Sequence, residues 1–140
     1  MMVRRFAAVI LALGLLATGI VFSRAQSWDQ LQKVVTIAPG ASLSGAVDLA
    51  GSRMLALVIP ASWTTASVSM QASPDGVTYS NVYVDGTELT VTATSSNYMG
   101  FSTPAELLGI RYVKIRSGTS ASPVTQTNGA QITIINFPWP

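Results

Sequence analysis

The stretch from Ser67 to Val84, SVSMQASPDGVTYSNVYV, constrains the fold of this chain more than any other. Val68, Met70 and Ala72 fall on one face of an extended segment and Ser67, Ser69 and Gln71 on the other, the two-residue period of a half-buried strand. Ser73-Pro74-Asp75-Gly76 then turns the chain. Pro74 supplies the fixed φ of a turn's first central position, Asp75 bonds to its own backbone, and Gly76 accepts positive φ. Tyr79, Val82, Tyr83 and Val84 provide the aromatic and β-branched residues of a returning strand. A chain with such a hairpin at its centre builds antiparallel sheet.

The rest of the chain agrees. Val34 to Ile37 and Leu43 to Leu49 read as strands separated by Pro39-Gly40, and Met54 to Ile59, a six-residue apolar run closed by Pro60, reads as a central strand covered on both faces. After an Asp85-Gly86 turn, Leu89, Val91 and Ala93 alternate with Thr90, Thr92 and Thr94. Tyr98 to Phe101, Ile110 to Arg116 and Gln131 to Phe137 are further strands, with a polar Ser/Thr-rich loop over Ser117 to Ala130. One helical turn is expected. Thr103 caps it, Pro104 takes its first position, Glu106 completes a capping box and Gly109 ends it, with Leu107 and Leu108 plugged into the core. About eight short strands with regular turn signals predict an all-β, antiparallel β-sandwich of jelly-roll type.

The 140 residues, 49% hydrophobic, amount to one domain whose core stands without disulfides or metal. Its net positive charge comes from the start. Arg4 and Arg5 precede an uncharged run from Phe6 to Ser23, and Ser23-Arg24-Ala25 puts small residues where signal peptidase reads them. Residues 1–25 therefore read as a signal peptide cut between Ala25 and Gln26, or alternatively as a retained transmembrane anchor, since about 18 uncharged residues approach a membrane span. With either outcome the body is exported, to the periplasm, the envelope or the exterior. Residues 26–33 read as a linker, 34–137 as the sandwich and 138–140 as a tail. From Gln26 onward five cations face six carboxylates, a net charge of −1, and nucleic acid is not an expected partner because phosphate affinity needs clustered cations.

The chain contains neither His nor Cys. Ser-His-Asp and Cys-His catalysis and thiolate or imidazole metal sites are thereby excluded, and no catalytic residue, metal or cofactor is assigned. Of the carboxylates, Asp75 and Asp85 read as turn formers and Glu88 as a solvated strand end. For binding, aromatic rings that stack on sugars and polar groups that bond their hydroxyls single out Trp63, Asp75, Tyr79, Asn81, Tyr83 and Asn97. The competing role of Trp63 is to plug one end of the sandwich. Tyr112, Lys114 and Arg116, on alternate positions of one strand, and Trp139, between two prolines, are the candidate partner contacts.

Two resemblances attach to these motifs. Ser73 to Tyr79 followed by Ile110-Arg111-Tyr112-Val113-Lys114-Ile115 resembles discoidin-like, galactose-binding-like jelly rolls. The body from about Val34 to Ile135 is similar to small uncharacterised β-sandwich proteins encoded among tailed-phage and prophage structural genes, through VTIAPGASLSGAVDLAG, PASWT, QASPDGVTY, GIRYVKIRSGTSASPV and a closing ITII. That second resemblance implies a phage-related virion structural protein, such as a decoration, spike or fibre component, acting without catalysis through protein partners or self-assembly. The export leader departs from it and keeps a second expectation alongside: an exported carbohydrate-binding module of the cell envelope, with a glycan as ligand and the membrane reached through residues 6–23.

Overall fold

The computed structural model describes residues 31–102 and 107–138. Eleven strands are found among them: β1 (Leu31–Ile37), β2 (Val47–Asp48), β3 (Ser52–Val58), β4 (Val68–Ser73), β5 (Ser80–Asn81), β6 (Tyr83–Val84), β7 (Thr87–Glu88), β8 (Thr90–Val91), β9 (Tyr98–Gly100), β10 (Tyr112–Ser117) and β11 (Ala130–Pro138). Every pairing is antiparallel. One sheet runs β1-β11-β3-β9, a second runs β2-β10-β4-β5 with β8 also on β4, and β6-β7 form a small separate ribbon.

The core lies between the two larger sheets. Val35 and Ile37 of β1, Met54 and Leu57 of β3, Met99 of β9, and Ile132 and Ile134 of β11 meet Val68 and Met70 of β4 and Val113 and Ile115 of β10 in one cluster. Each is the inward member of an alternating strand. Met54 and Leu57 are three residues apart, so strict alternation would place them on opposite faces. A bulge resolves this: Ile135 pairs with Ala56 but Asn136 with Met54, leaving Leu55 without a partner on β11 and shifting the phase of β3 by one. The strand is central as expected, between β11 and β9, but it is covered fully on one face only, since Arg53, Leu55 and Val58 are half-buried.

Several expectations need correction. The described residues hold eleven strands rather than about eight, because five of them are two-residue pairings that break up longer stretches. Tyr79 to Val84 is one such stretch. Val82 donates its N–H to the Met70 carbonyl and accepts from the Leu89 N–H, so the chain leaves β4 there and β6 pairs with β7 instead. Leu43 to Leu49 reduces to β2 plus a lone bridge between Leu43 and Arg116. β1 begins at Leu31, so the end of the expected linker is strand. Leu107 is buried as expected, but Leu108 is exposed, since adjacent residues of a single turn cannot both face one core. The N-terminal helix, the Ala25–Gln26 cleavage point, the Thr103, Pro104 and Glu106 cap and Trp139 lie outside the described residues. Among the described residues no helix is long and apolar enough to cross a membrane.

Candidate functional site

The outer face of the second sheet gathers most of the residues singled out from sequence. Register puts Tyr112 opposite Ser73, Lys114 opposite Gln71 and Arg116 opposite Ser69, with Asn81 and Thr90 continuing the Gln71 and Ser69 rows. Strand alternation therefore turns Tyr112, Lys114 and Arg116 outward while Val113 and Ile115 enter the core.

These side chains engage one another. Lys114 Nζ lies 4.0 Å from the centre of the Tyr79 ring, and the Arg111 guanidinium 5.0 Å from that of Tyr112. Asn81 Oδ1 accepts from Arg116 Nη1 at 2.9 Å and from Gln71 Nε2 at 3.2 Å. Arg116 Nη1 also lies 3.4 Å from Glu88 Oε1, and the two side chains are only 11% and 12% exposed. Glu88 in turn accepts from the Ser120 N–H at 2.9 Å and the Ser120 hydroxyl at 2.8 Å. The strand that carries Arg116, the β6-β7 ribbon and the start of the long polar loop are thus tied at one charge pair. Glu88 is a partnered structural anchor, and its expected role as a solvated strand end is corrected.

Asp75 closes the neighbouring corner. Its Oδ1 accepts from the Val77 N–H at 2.8 Å, the Ser73 hydroxyl at 2.7 Å and the Thr78 N–H at 3.0 Å, and these donors hold the carboxyl down to about 2. Gly76 follows at φ +77°, its α-carbon beneath the Tyr112 ring, so that a β-carbon there would sit 3.3 Å from the ring. At the far rim, the Ala50 N–H at 2.7 Å and the Arg111 guanidinium lower the Asp48 carboxyl below its ordinary value.

The remaining candidates are elsewhere. Trp63 is 5% exposed, packs in the core and donates its indole N–H to the Ala66 carbonyl, so it offers no surface for a sugar and takes the plugging role instead. Asn97 is exposed beside it, its neighbour Ser96 and Trp63 both donating to the Pro60 carbonyl. Tyr83, 55% exposed, rides on the β6-β7 ribbon opposite Glu88. No group of three or more acidic residues capable of holding a metal occurs among the described residues. A cavity of about 760 Å³ is lined by the Ala50–Arg53 and Leu107–Arg111 segments, whose ionisable side chains are Arg53 and Arg111.

Sequence reasoning missed Gln126. It is fully buried, takes the Thr64 N–H on Oε1 at 2.7 Å, and donates Nε2 to the Thr64 carbonyl at 3.0 Å and the Ser117 hydroxyl at 2.6 Å. Its backbone bonds Gly40 and Ala41 as well. The polar loop is stitched to three other segments by this one residue, through its amide at Thr64 and Ser117 and through its backbone at Gly40 and Ala41. Nothing in the local pattern of a Ser/Thr-rich run signals that partner.

The fold and this surface define an all-β protein of two packed antiparallel sheets with one ordered polar face. Comparison with family models, curated proteins and solved structures gave no match.

Proposed function

We propose that this chain is a non-enzymatic, exported structural and interaction module of phage-related type, a virion surface, decoration or spike component with a jelly-roll connectivity, and that it acts by surface contact. The observation that carries this reading is the contrast between its two outer faces. On the second sheet the charged and amide groups satisfy one another. On the first, a row of Val34, Thr133, Val58 and Tyr98, in register across all four strands, stays open, with Val34 58% and Tyr98 60% exposed. Exposed apolar and aromatic groups in one row suit a protein neighbour rather than a reaction. The resemblance of VTIAPGASLSGAVDLAG and GIRYVKIRSGTSASPV to small uncharacterised β-sandwich proteins encoded among phage structural genes is what suggests the virion assignment. Particles banded from cells that carry the gene test it: the chain is expected in the particle band after a high-salt wash, and Tyr98→Asp is expected to strip it from that band. Recovery in envelope fractions alone refutes the assignment.

A second reading, a carbohydrate-binding module of the envelope, is favoured by one observation: Tyr79, Tyr83, Asn81 and Lys114 gather on or beside the same outer face. Glycan-array binding that is lost in Tyr83→Ala would select it.

A further inference from the structure

β1 lies at the edge of the first sheet and pairs with β11 along its whole length, from Leu31 with Asn136 to Ile37 with Ala130. Its other side has no backbone partner among the described residues. Exposed edges of this length are ordinarily guarded by proline, a bulge or charges. β1 has no proline, bulge or acid. Its one guard is the single charge of Lys33, which belongs to the inward-facing set and is half-buried. The outward set is Gln32, Val34 and Thr36, all exposed.

The geometry points to a second copy of this chain as the occupant of that edge, added antiparallel about a two-fold axis through Val34. This goes beyond the surface-module reading and names the partner. A two-fold pairing must be self-complementary, and the seven residues are: with Val34 against its own copy, Leu31 meets Ile37, Gln32 meets Thr36 and Lys33 meets Val35. This register uses the whole strand, sets Leu31 against Ile37 and Gln32 against Thr36, and leaves each Lys33 beside a Val35 with its ammonium free to reach past it to water. Centring on Lys33 would set two lysines face to face. The row Val34-Thr133-Val58-Tyr98 then continues into its own copy, and two four-stranded sheets become one of eight. The near-neutral body, net −1 from Gln26 onward, adds little repulsion between copies.

The absence of cysteine makes the register directly readable. Opposed residues of an antiparallel pair have α-carbons roughly 4.5–5.5 Å apart, within disulfide reach. The full chain carrying Val34→Cys, oxidised with copper-phenanthroline before lysis, is expected to run as a disulfide dimer on a non-reducing gel. Gln32→Cys alone is expected to stay monomeric, since its two copies lie four residues apart along the strands, about 13 Å. Gln32→Cys co-expressed with Thr36→Cys is expected to form the mixed dimer. Failure of Val34→Cys to cross-link, or equal cross-linking at positions 32 and 34, overturns the pairing. Neither result bears on the particle assay, so the two readings fail separately.

Discussion

Replacing Gln126 with leucine removes an amide and keeps the side chain's approximate size. The Ser117 hydroxyl, fully buried, loses its donor, and the Thr64 N–H and carbonyl, on a half-buried residue, lose both side-chain partners. A buried polar group left unsatisfied costs about 1–3 kcal/mol. Taking the middle of that range for Ser117 and about 1 kcal/mol for each Thr64 group, which water partly reaches, the loss is about 4 kcal/mol. The leucine's apolar burial offsets about 1–2 kcal/mol. Gln126→Leu is therefore expected to destabilise the fold by about 2–3 kcal/mol, a fall in Tm of roughly 10–20 °C for a domain of this size. Urea unfolding followed by far-ultraviolet circular dichroism measures it, with an unchanged m-value showing that the same surface unfolds. Gln126→Glu adds a control with a pH signature. It keeps the acceptor for the Thr64 N–H but brings a carboxylate against the Thr64 carbonyl in a buried site, which raises its folded-state pKa. Proton uptake then favours the folded form, so its destabilisation is expected to shrink as pH falls toward the ordinary glutamate value of about 4.3. A Gln126→Leu protein within about 0.5 kcal/mol of the parent would refute the view that this amide fastens the loop.

Three further outcomes follow from the geometry. Asp75, held down to about 2, contributes stability that is complete above its ordinary value of 3.8 and is lost as pH falls through about 2, so its carbon-detected NMR titration is expected to show a midpoint near 2 in the folded protein, and Ser73→Ala is expected to raise that midpoint. Arg116→Met leaves Glu88 with its Ser120 donors but no counter-charge, and is expected to cost about 2–4 kcal/mol in urea unfolding, while Glu88→Ala speeds hydrogen exchange at the Ser120 amide. Gly118 sits at φ +84°, where a β-carbon would collide with the Ser122 carbonyl oxygen and come within 2.8 Å of the Val124 nitrogen, so Gly118→Ala is expected to cost about 3 kcal/mol or more; Gly40→Ala, at φ +77° in open space, is expected to cost about 1 kcal/mol in the same assay.

Local chemistry accounts for what was legible. The Ser73-Pro74-Asp75-Gly76 corner and the Asp85-Gly86 turn form where their residues require them, with Gly76 at φ +77° and Asp85 and Gly86 at +49° and +77°. Alternation in β4, β10 and β11 sorts Val68, Met70, Val113, Ile115, Ile132 and Ile134 into the core, because one face of each strand must leave water. The absence of His and Cys rules out imidazole and thiolate chemistry before any coordinates are known. Only the tertiary structure brought Glu88 to Arg116 and Gln126 to Thr64 and Ser117, pairs separated by 28, 62 and 9 residues. It alone also placed the Leu55 bulge, put Trp63 inside and left β1 at an edge. Turn formation and strand alternation are decided within a few residues, and so can be read along the chain. Which sheet a strand joins, and which polar group meets another across it, depends on packing between distant segments, and no local pattern carries that choice.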